Sequence, residues 1–506
     1  MRVIVSVSDK RGLAPFVKGL VEMRAEVYST GGTKKALEDA GLPVHSISDI
    51  TGFPEILDGR VKTLHPKVYG GILALRSNRH HMHELTQHDI TPIDVIVCNL
   101  YPFVETVSKP GATLEDALEN IDIGGPSMIR ASAKNFQSVA TVVDPNDYGW
   151  VLEGLRGKGI PHEERRGLAA KAFQHVALYD TAIASYLRGR SEALPAELTI
   201  GLTRLQTMRY GENPHQSSAF YREVLAPEGG VASAKQLHGK ELSHNNIIDA
   251  DSAWNAVRDF ESPAIAIIKH TNPCGLAEND DLAEAYRRAF EGDPVSAYGG
   301  IVACNRRVTA AAAEEIAKIF YEIIIAPGYE PEALERLSRK RDLRILEVPG
   351  AGTHDKWDYR RISGGMLVQT PDVLREDPSS WKVVTERKPT PAELADLGFA
   401  WTVVKHIKSN AIALVKDRAV VGMGAGQPNR VTSVHLALRR AEAKAKGSVL
   451  GSDAFFPFAD NVELAAEGGI TAIAQPGGSI RDQECIDAAN KAGIAMVFTS
   501  VRHFRH

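Results

Sequence analysis

The chain of 506 residues is poor in cysteine, with only Cys98, Cys274, Cys304 and Cys485. None sits in a CxxC pair, which argues against a disulfide framework and a zinc ribbon and suggests reduced cytosolic thiols. Neither sign of charge is in excess: 59 Lys and Arg stand against 63 Asp and Glu, a formal charge of −4. A dedicated nucleic-acid binder carries a clear basic surplus, so nucleic acid is not an expected partner. No run approaches 18 uninterrupted apolar residues, so neither a membrane span nor a membrane partner is expected. MRVIVSVSDK opens on a strand pattern without the basic and apolar segments of a signal peptide, and a cytoplasmic location follows as the expectation. The bias of disordered or collagenous chains is missing as well, since 43% hydrophobic and 24% charged residues are ordinary for a globular protein. At roughly 150 residues per domain the length predicts about three folding units.

The first part alternates strands and helices. RVIVSV (2–7), AEVYST (25–30), PVHSI (43–47) and DVIVCNL (94–100) read as strands. SDKRGL reads as a helix start capped by Ser8 or Asp9, and GGTKKALEDAG (31–41) as a short helix ended by Gly41. This spacing predicts βαβ units and a parallel sheet, with ligands beyond the strands' carboxyl ends. Residues 115–122, 147–156 and 162–190 read as helical, and the break at Pro195 places a domain boundary near 195–200. Beyond it lies a larger mixed α/β region, with strands at AIAIIKH (264–270), GGIVACN (299–305), EIIIAP (322–327) and AVVGMG (419–424). The polar, proline-containing stretch 370–393 is the candidate junction between two lobes. No repeat at fixed period stands out, which leaves room for two lobes that share a fold without obviously sharing sequence.

VYSTGGTKKAL (27–37) runs strand, glycine turn, helix start. Gly31 and Gly32 permit close backbone approach, Ser29, Thr30 and Thr33 add hydroxyls, and free amides at a helix N-terminus attract anions. A plain strand-to-helix turn fits the segment equally well. RVKTLHPKVYGGIL (60–73) crowds Arg60, Lys62, His65, Lys67 and Tyr69 into one loop, without the helical spacing of a solvated face. CNLYPF (98–103) sets Asn99 and Tyr101 just past a buried strand. IDIGGPSMIRASAKN (121–135) supplies Asp122, a glycine turn, a helix, Arg130 and Lys134. Each alone is consistent with a capped loop; all of them at one sheet edge suggest a site.

In the second region RYGENPHQ (209–216) gathers Arg209, Asn213 and His215 around a proline, and KHTNPCG (269–275) puts Lys269 and His270 at a strand tip before an Asn-Pro turn. A lysine beside a histidine can lower its proton affinity, which would suit a neutral imidazole acting as base or shuttle. GMGAGQPNR (422–430) has alternate glycines, but Gln427 stands where a dinucleotide fingerprint needs glycine. SDAFFPFADN (452–461) offers an apolar wall rimmed by Asp453, Asp460 and Asn461, suited to a flat heterocycle. RHHMHELTQH (79–88) fits no zinc spacing well, and Ala277 replaces the second cysteine of a zinc-deaminase PCxxC, so no metal is expected.

Taken in order, SVSDK, STGGT, RVKTLHP, CNLYPF, IDIGG, RYGENPHQ, KHTNPCG, GAGQPNR and SDAFFPFADN closely resemble the bifunctional purine-biosynthesis family that joins AICAR transformylase to IMP cyclohydrolase. The resemblance covers essentially the whole chain. It implies an α/β fold: a methylglyoxal-synthase-like parallel-sheet domain over 1–198, then a transformylase region over 199–506 made of two cytidine-deaminase-like lobes without zinc. It implies two reactions: formyl transfer from the co-substrate 10-formyltetrahydrofolate to AICAR, then dehydrative closure of formyl-AICAR to IMP. A homodimer is expected on the same ground.

Residue by residue, the resemblance makes Lys269, His270 and Asn410 the formyl-transfer set, and Lys62, Tyr101, Asp122 and Lys134 the ring-closing set. Ser8, Lys10, Ser29, Thr30, Gly31, Gly32, Thr33 and Asn99 would form the nucleotide pocket of the first domain. Arg209, Tyr210, His215, Gly299, Glu322, Arg430, Phe455 and Arg502 would bind AICAR, and Val431, Pro457, Asp460 and Asn461 would line the folate side. Glu322 departs from the family's aspartate. Two other readings stay open at this point: an N-terminal nucleotide sensor, disfavoured by the retained ring-closing set, and a hydrolytic deaminase, disfavoured by the missing cysteine pair.

Overall fold

The structure, a computed structural model, describes residues 1–57, 59–189, 194–350 and 355–506. The chain divides into two compact units, Met1–Thr203 with Glu223–Leu225, and Arg204–Arg222 with Ala226–His506.

The first unit is built on five parallel strands, β1 (Arg2–Ser6), β2 (Glu26–Ser29), β3 (His45–Ser46), β4 (Val95–Cys98) and β5 (Ala140–Val142), in the order β3-β2-β1-β4-β5. Their β-branched runs bury both faces, as a parallel sheet requires. Val3, Val5, Val95 and Val97 pack into one layer, and Ile4, Ile96 and Cys98 into the other. The helix His162–Arg188 lays Ala169, Ala172, Val176, Tyr179 and Ala182 on the second layer; residue 190, the end of the expected helix, lies outside the described residues. The third strand is shorter than expected, because Ser46 already caps a helix over Ile47–Thr51.

The expected cap at Ser8 or Asp9 is corrected. The first helix runs Leu13–Glu22 behind Gly12, with no side-chain cap. Asp9 instead grips the amide and guanidinium of Arg11, and the amides of Ser8 and Asp9 are held by Asn99. The histidine-rich segment is the helix Arg79–Gln87.

β6 (Leu202–Met208) and β7 (Ser218–Glu223) pair with each other only. The second unit is dominated by a twelve-stranded mixed sheet. One half comprises β8 (Lys235–His238), β9 (Ala264–Lys269), β10 (Asn272–Glu278), β11 (Ile301–Cys304), β12 (Ile323–Ala326) and β13 (Arg344–Glu347). After the separate hairpin β14 (Asp358–Ile362) and β15 (Gly365–Gln369), the other half comprises β16 (Lys382–Val383), β17 (Ile412–Lys416), β18 (Ala419–Gly424), β19 (Val449–Ser452), β20 (Ala472–Gln475) and β21 (Ala495–Phe498). The order is β16-β21-β20-β19-β17-β18-β10-β9-β11-β12-β13-β8.

The two halves have the same topology. Each runs antiparallel edge strand, helix, hairpin, helix, then three strands parallel to one another, and the halves meet where β10 and β18 pair antiparallel at Ala277 and Ala419. The helices His244–Arg258 and Pro391–Val404 share one continuous core on one face, and the other face carries a separate core for each half.

The duplication is written in the sequence at a shift of 147 places, the separation of the bonded pair Asp259 and His406. It superposes Asp249 on Asp396, Ala253-Trp254 on Ala400-Trp401, Val257 on Val404, Ser262 on Ser409, Ala264-Ile265-Ala266 on Ala411-Ile412-Ala413, Lys269 on Lys416 and Gly275 on Gly422. The two lobes thus share both a fold and a short stretch of sequence, although no repeat at fixed period stands out in the chain as a whole. The repeat covers one helix and one hairpin, too short a part of the chain to show as a period. Gly275 and Gly422 share a reason to be glycine: a Cβ would lie 1.7 Å from Ala289 O in one case and 2.3 Å from Ala437 O in the other.

Candidate functional site

In the first unit the strand order reverses direction around β1, which puts the switch point, where open α/β sheets bind ligands, beyond the carboxyl ends of β1 and β4. Asn99, just after β4, shapes one wall. Its Oδ1 accepts the amides of Ser8 (2.7 Å) and Asp9 (2.9 Å), and its Nδ2 donates to Asp9 O (3.1 Å). Asn99 is buried, so it fixes the loop that carries Ser8 and Lys10. Ser29 and Thr33 do similar work: Ser29 Oγ donates to Val5 O (2.7 Å), and Thr33 Oγ1 both accepts from Val7 N and donates to Val7 O.

What faces outward is the turn itself. Thr30 precedes the helix Gly31–Asp39 without capping it through its side chain, Gly31 has φ +44°, and both Gly31 and Gly32 are exposed. Uncapped amides at a helix start suit an anion. A Cβ on Gly31 would lie 3.8 Å from Lys62 Nζ, so the ammonium stands directly over this turn.

Asp122 completes the pocket. Burial raises its pKa, partly offset by the Gly125 amide (2.8 Å) and the charge of Lys62. Gly125 must be glycine, since a Cβ there would meet Asp122 Oδ2 at 2.5 Å. The loop is pinned by Tyr179, whose hydroxyl accepts the Asp122 amide (2.8 Å) and donates to Asn120 O (2.9 Å). Sequence reasoning missed Tyr179, because inside a long amphipathic helix it looks like any core aromatic. Lys62, Asp122 and the Thr30–Gly32 turn are therefore brought together, with Tyr101 exposed just past β4. Lys134 is exposed in the last turn of the helix Gly124–Lys134, about 15 Å of helical rise from Gly124. His65 caps the helix Pro66–Leu73 through Nδ1.

In the second unit the Lys269–His270 pair lies at a hairpin tip. The turn is His270-Thr271, with φ of 52° and 60°, and the expected Asn-Pro turn is corrected, since Asn272 and Pro273 already open β10. Two positive φ values in a two-residue loop are the type I′ geometry that matches strand twist. Asp249 of the underlying helix holds it, accepting His270 N at 3.2 Å and Thr271 N at 2.7 Å. Lys269 Nζ donates to Tyr298 O (2.8 Å), beside Gly299 at φ +75°. The histidine ring is exposed.

Asn272 links this tip to the second lobe. Its Nδ2 donates to His270 O (2.9 Å), and its Oδ1 accepts Lys408 N (3.3 Å), two residues before Asn410. Asn410 sits at the mouth of β17, its Nδ2 donating to Gln427 O (2.8 Å) and Pro428 O (3.1 Å) and its Oδ1 accepting Arg430 Nη2 (2.5 Å). One lone pair of that oxygen stays available. Arg430, 5% exposed, also donates to Ser452 Oγ (2.9 Å) and pairs with Asp453, which is fully buried and accepts from Ser409 Oγ. Arg430 is thus committed to the protein. His503 N donates to Asp453 O (3.0 Å), which sets Arg502 at the same edge, its guanidinium 4.7 Å above the Phe504 ring.

The other expected residues are more dispersed. Arg209 lies over the ring of Tyr210 in a loop closed by Gly211 N to Gln216 O (2.7 Å), with His215 exposed, and Asn245 Nδ2 ties Glu212 O to the start of the helix that carries Asp249. Glu322 is bound to Arg344 at 2.6 Å, so one of its oxygens is already taken. Phe455 is 39% exposed and available as a stacking face, with Val431 and Pro457 half-buried and Asp460 exposed. Asn461 is buried and its Nδ2 donates to Asp460 Oδ1 (2.7 Å), so it presents little to a ligand. Asp249 escaped the sequence reading; the shifted repeat, with Asp396 in its place, is the signal that reveals it. Among the described residues, no group of three or more His, Cys, Asp or Glu is placed to hold a metal ion.

Two family models match the chain: an MGS-like domain over residues 12–127, and the AICARFT/IMPCHase bienzyme over residues 132–440. The chain belongs to the AICARFT/IMPCHase bienzyme family. Curated relatives agree over their full length. The Bifunctional purine biosynthesis protein PurH of Halalkalibacterium halodurans is 54% identical, covering 100% of this chain and 99% of the relative. Its namesake from Listeria monocytogenes serotype 4b is 53% identical over 100% of both chains. That of Bacillus cereus is 54% identical over 100% of this chain and 99% of the relative. The family expected from the ordered motifs is borne out, as is an MGS-like parallel-sheet domain followed by a mixed α/β region.

Proposed function

We propose that this bienzyme carries out the last two steps of IMP synthesis in separate units, with 10-formyltetrahydrofolate as formyl donor. In the second unit the 5-amine of AICAR attacks the formyl carbon and the carbon–N10 bond breaks. The amine proton leaves through His270, which returns a proton to N10 of the tetrahydrofolate product. Lys269 has one donor engaged by Tyr298 O and two left for the developing oxyanion. Asn410 offers its remaining lone pair to the substrate, and Phe455 a stacking face to the imidazole.

In the first unit the carboxamide nitrogen of formyl-AICAR attacks its own formyl carbon, and water is lost. An intramolecular closure gains mainly from orientation, so the phosphate held at the Thr30–Gly32 turn fixes the substrate, with Lys62 over that turn supplying positive charge and Asp122 handling the proton. Tyr101 and Lys134 belong to this set by resemblance. The deaminase-like character of the two lobes and a homodimer rest on resemblance too, and a cytoplasmic location on the few, unpaired cysteines; no helix among the described residues is long and apolar enough to cross a membrane.

The observation that carries the proposal is the Asn272 bridge, which draws His270 and the Lys408–Asn410 segment, far apart in sequence, to one edge. Purified protein given AICAR and 10-formyltetrahydrofolate is expected to release IMP and tetrahydrofolate. His270→Ala is expected to lower formyl transfer by about 100- to 10,000-fold and leave cyclisation of supplied formyl-AICAR intact. Formyl-AICAR that never proceeds to IMP, or parallel loss of both rates in the variant, would overturn the two-site assignment.

A further inference from the structure

The duplicated hairpins give the His270 tip an internal control. In the second lobe Asp417-Arg418 forms the same two-residue loop, with φ of 52° and 55°, and Asp396 accepts their amides at 2.9 and 2.7 Å, as Asp249 does for His270 and Thr271. The lysines match as well. Lys269 Nζ donates to Tyr298 O, just before Gly299, whose amide bonds Phe320 O at 2.8 Å. Lys416 Nζ donates to Lys446 O (3.2 Å), just before Gly447, whose amide bonds Gly469 O at 2.8 Å. The same carboxylate therefore serves a tip with histidine and a tip with none.

A non-glycine residue at positive φ is held there only when its surroundings over-determine it. Two amides reaching one carboxylate provide that hold, because each bond to a charged acceptor is stronger than a neutral one. The tip carries a side chain whose reach must match a reacting amine and N10, and a shift of about 1 Å at such a group costs on the order of 100-fold in rate.

We propose that Asp249 is a positioning residue for formyl transfer: by clamping the His270 and Thr271 amides it fixes the direction in which the His270 imidazole points. This rests on the reading of His270 as the proton carrier. Asp396 performs the same clamp where nothing reacts, so its loss measures what the clamp is worth to the fold alone.

The test compares Asp249→Asn with Asp396→Asn in the full chain. Asparagine keeps one acceptor oxygen and sets an NH2 group against the second amide, so both variants lose one of the two bonds. The expected result is a similar drop in melting temperature for both. Asp249→Asn alone should lower kcat for formyl transfer at least tenfold with KM for AICAR within about twofold, and cyclisation of supplied formyl-AICAR should be unchanged in both. In the His270→Ala background, Asp249→Asn should lower the residual transfer no further, as expected of a residue acting through His270. If Asp249→Asn does not accumulate as folded protein, Asp249→Glu, which keeps both oxygens at a displaced position, is measured in the same way. Equal kcat losses in the Asp249 and Asp396 variants, no loss in either, or a full further loss in the His270→Ala background would overturn the positioning role. Wild-type transfer by His270→Ala itself would instead overturn the reading on which it rests.

Discussion

Replacing Arg430 by methionine should uncouple the two activities and unfold the second unit early. Arg430 and Asp453 are 5% and 0% exposed, and the guanidinium also holds Ser452 Oγ and Asn410 Oδ1. Methionine fills most of the volume but leaves the Asp453 carboxylate buried with Ser409 Oγ in place of a counter-charge. Removing one partner of a buried pair costs about 3–5 kcal/mol. At about 1.6 °C per kcal/mol for a unit of about 300 residues, the melting transition of the second unit should fall by roughly 5–8 °C. Asn410 loses its strongest partner in the same step, so formyl transfer should fall by more than tenfold at a temperature where the variant is still folded. Ring closure, in the other unit, should keep its rate. The double variant Arg430→Met/Asp453→Leu removes both charges and should recover most of the stability, since apolar replacement of a buried pair is often neutral, without recovering transfer. Thermal melts monitored by intrinsic fluorescence, with separate assays of transfer and closure, read all of these. A single variant that melts within about 2 °C of the parent, or a double variant that regains transfer, would refute the view that this pair exists to hold Asn410.

Two further outcomes follow from titratable groups. Asp122→Asn should lower ring closure by about 100-fold, the usual worth of one positioned acid or base, with formyl transfer unchanged; the closure rate with supplied formyl-AICAR checks it. Burial opposes the charge of His503, but its bonds to Asp372 (2.6 Å) and Glu376 (3.5 Å) outweigh that and raise its pKa to about 9. A pKa above the unfolded value of about 6.5 means that this stabilisation is complete below about pH 6.5 and fades as pH rises through about 9. Melting temperature should therefore decline between pH 7 and 9.5, and His503→Gln should flatten that slope; an unchanged slope would show that the stability carried by the cluster does not titrate with His503.

Some of this was legible in the sequence and some was not. RVIVSV and DVIVCNL betray buried parallel strands because each holds an unbroken core of apolar, mostly β-branched residues, Val3–Val5 and Val95–Val97, and AVVGMG matches its strand end to end. The Thr30–Gly32 turn was legible as a turn because paired glycines end the strand pattern, and Gly31 takes a φ of +44° there. The hidden parts are relations between distant residues. Ser29, Thr33 and Asn99 looked like ligand donors, yet their polar atoms are spent on the strand ends that shape the pocket. Arg430 looked like a substrate anchor and is a buried counter-ion. Hydroxyl, amide and guanidinium groups are chosen alike for ligands and for buried partners, so residue type cannot separate the two; only burial and partner geometry can.

The duplicated sheet also explains why one edge should react and its counterpart should not. The Asp417-Arg418 tip lies beside Ala277, five residues along β10 from the His270 tip, so the tips stand at opposite edges about 17 Å apart. At the shift that matches Lys269 with Lys416, Pro263 stands for Asn410 and Ser262 for Ser409. Strand register continues the match: Cys304 pairs with Ile265 as Ser452 pairs with Ile412, so Asn305 stands for Asp453. Asn305 is neutral and is spent on the backbone of Phe260, Ser262 and Ala264. The silent edge keeps the lysine, the clamp and the turn, and lacks the imidazole at the tip together with the carboxamide and buried carboxylate opposite it. The hairpin is therefore scaffold common to both lobes, and in the proposed mechanism the chemistry depends on pairing the tip of the first lobe with the strand mouths of the second. That pairing also accounts for the weakness of each motif alone, since KHTNPCG and GAGQPNR are each half of one site.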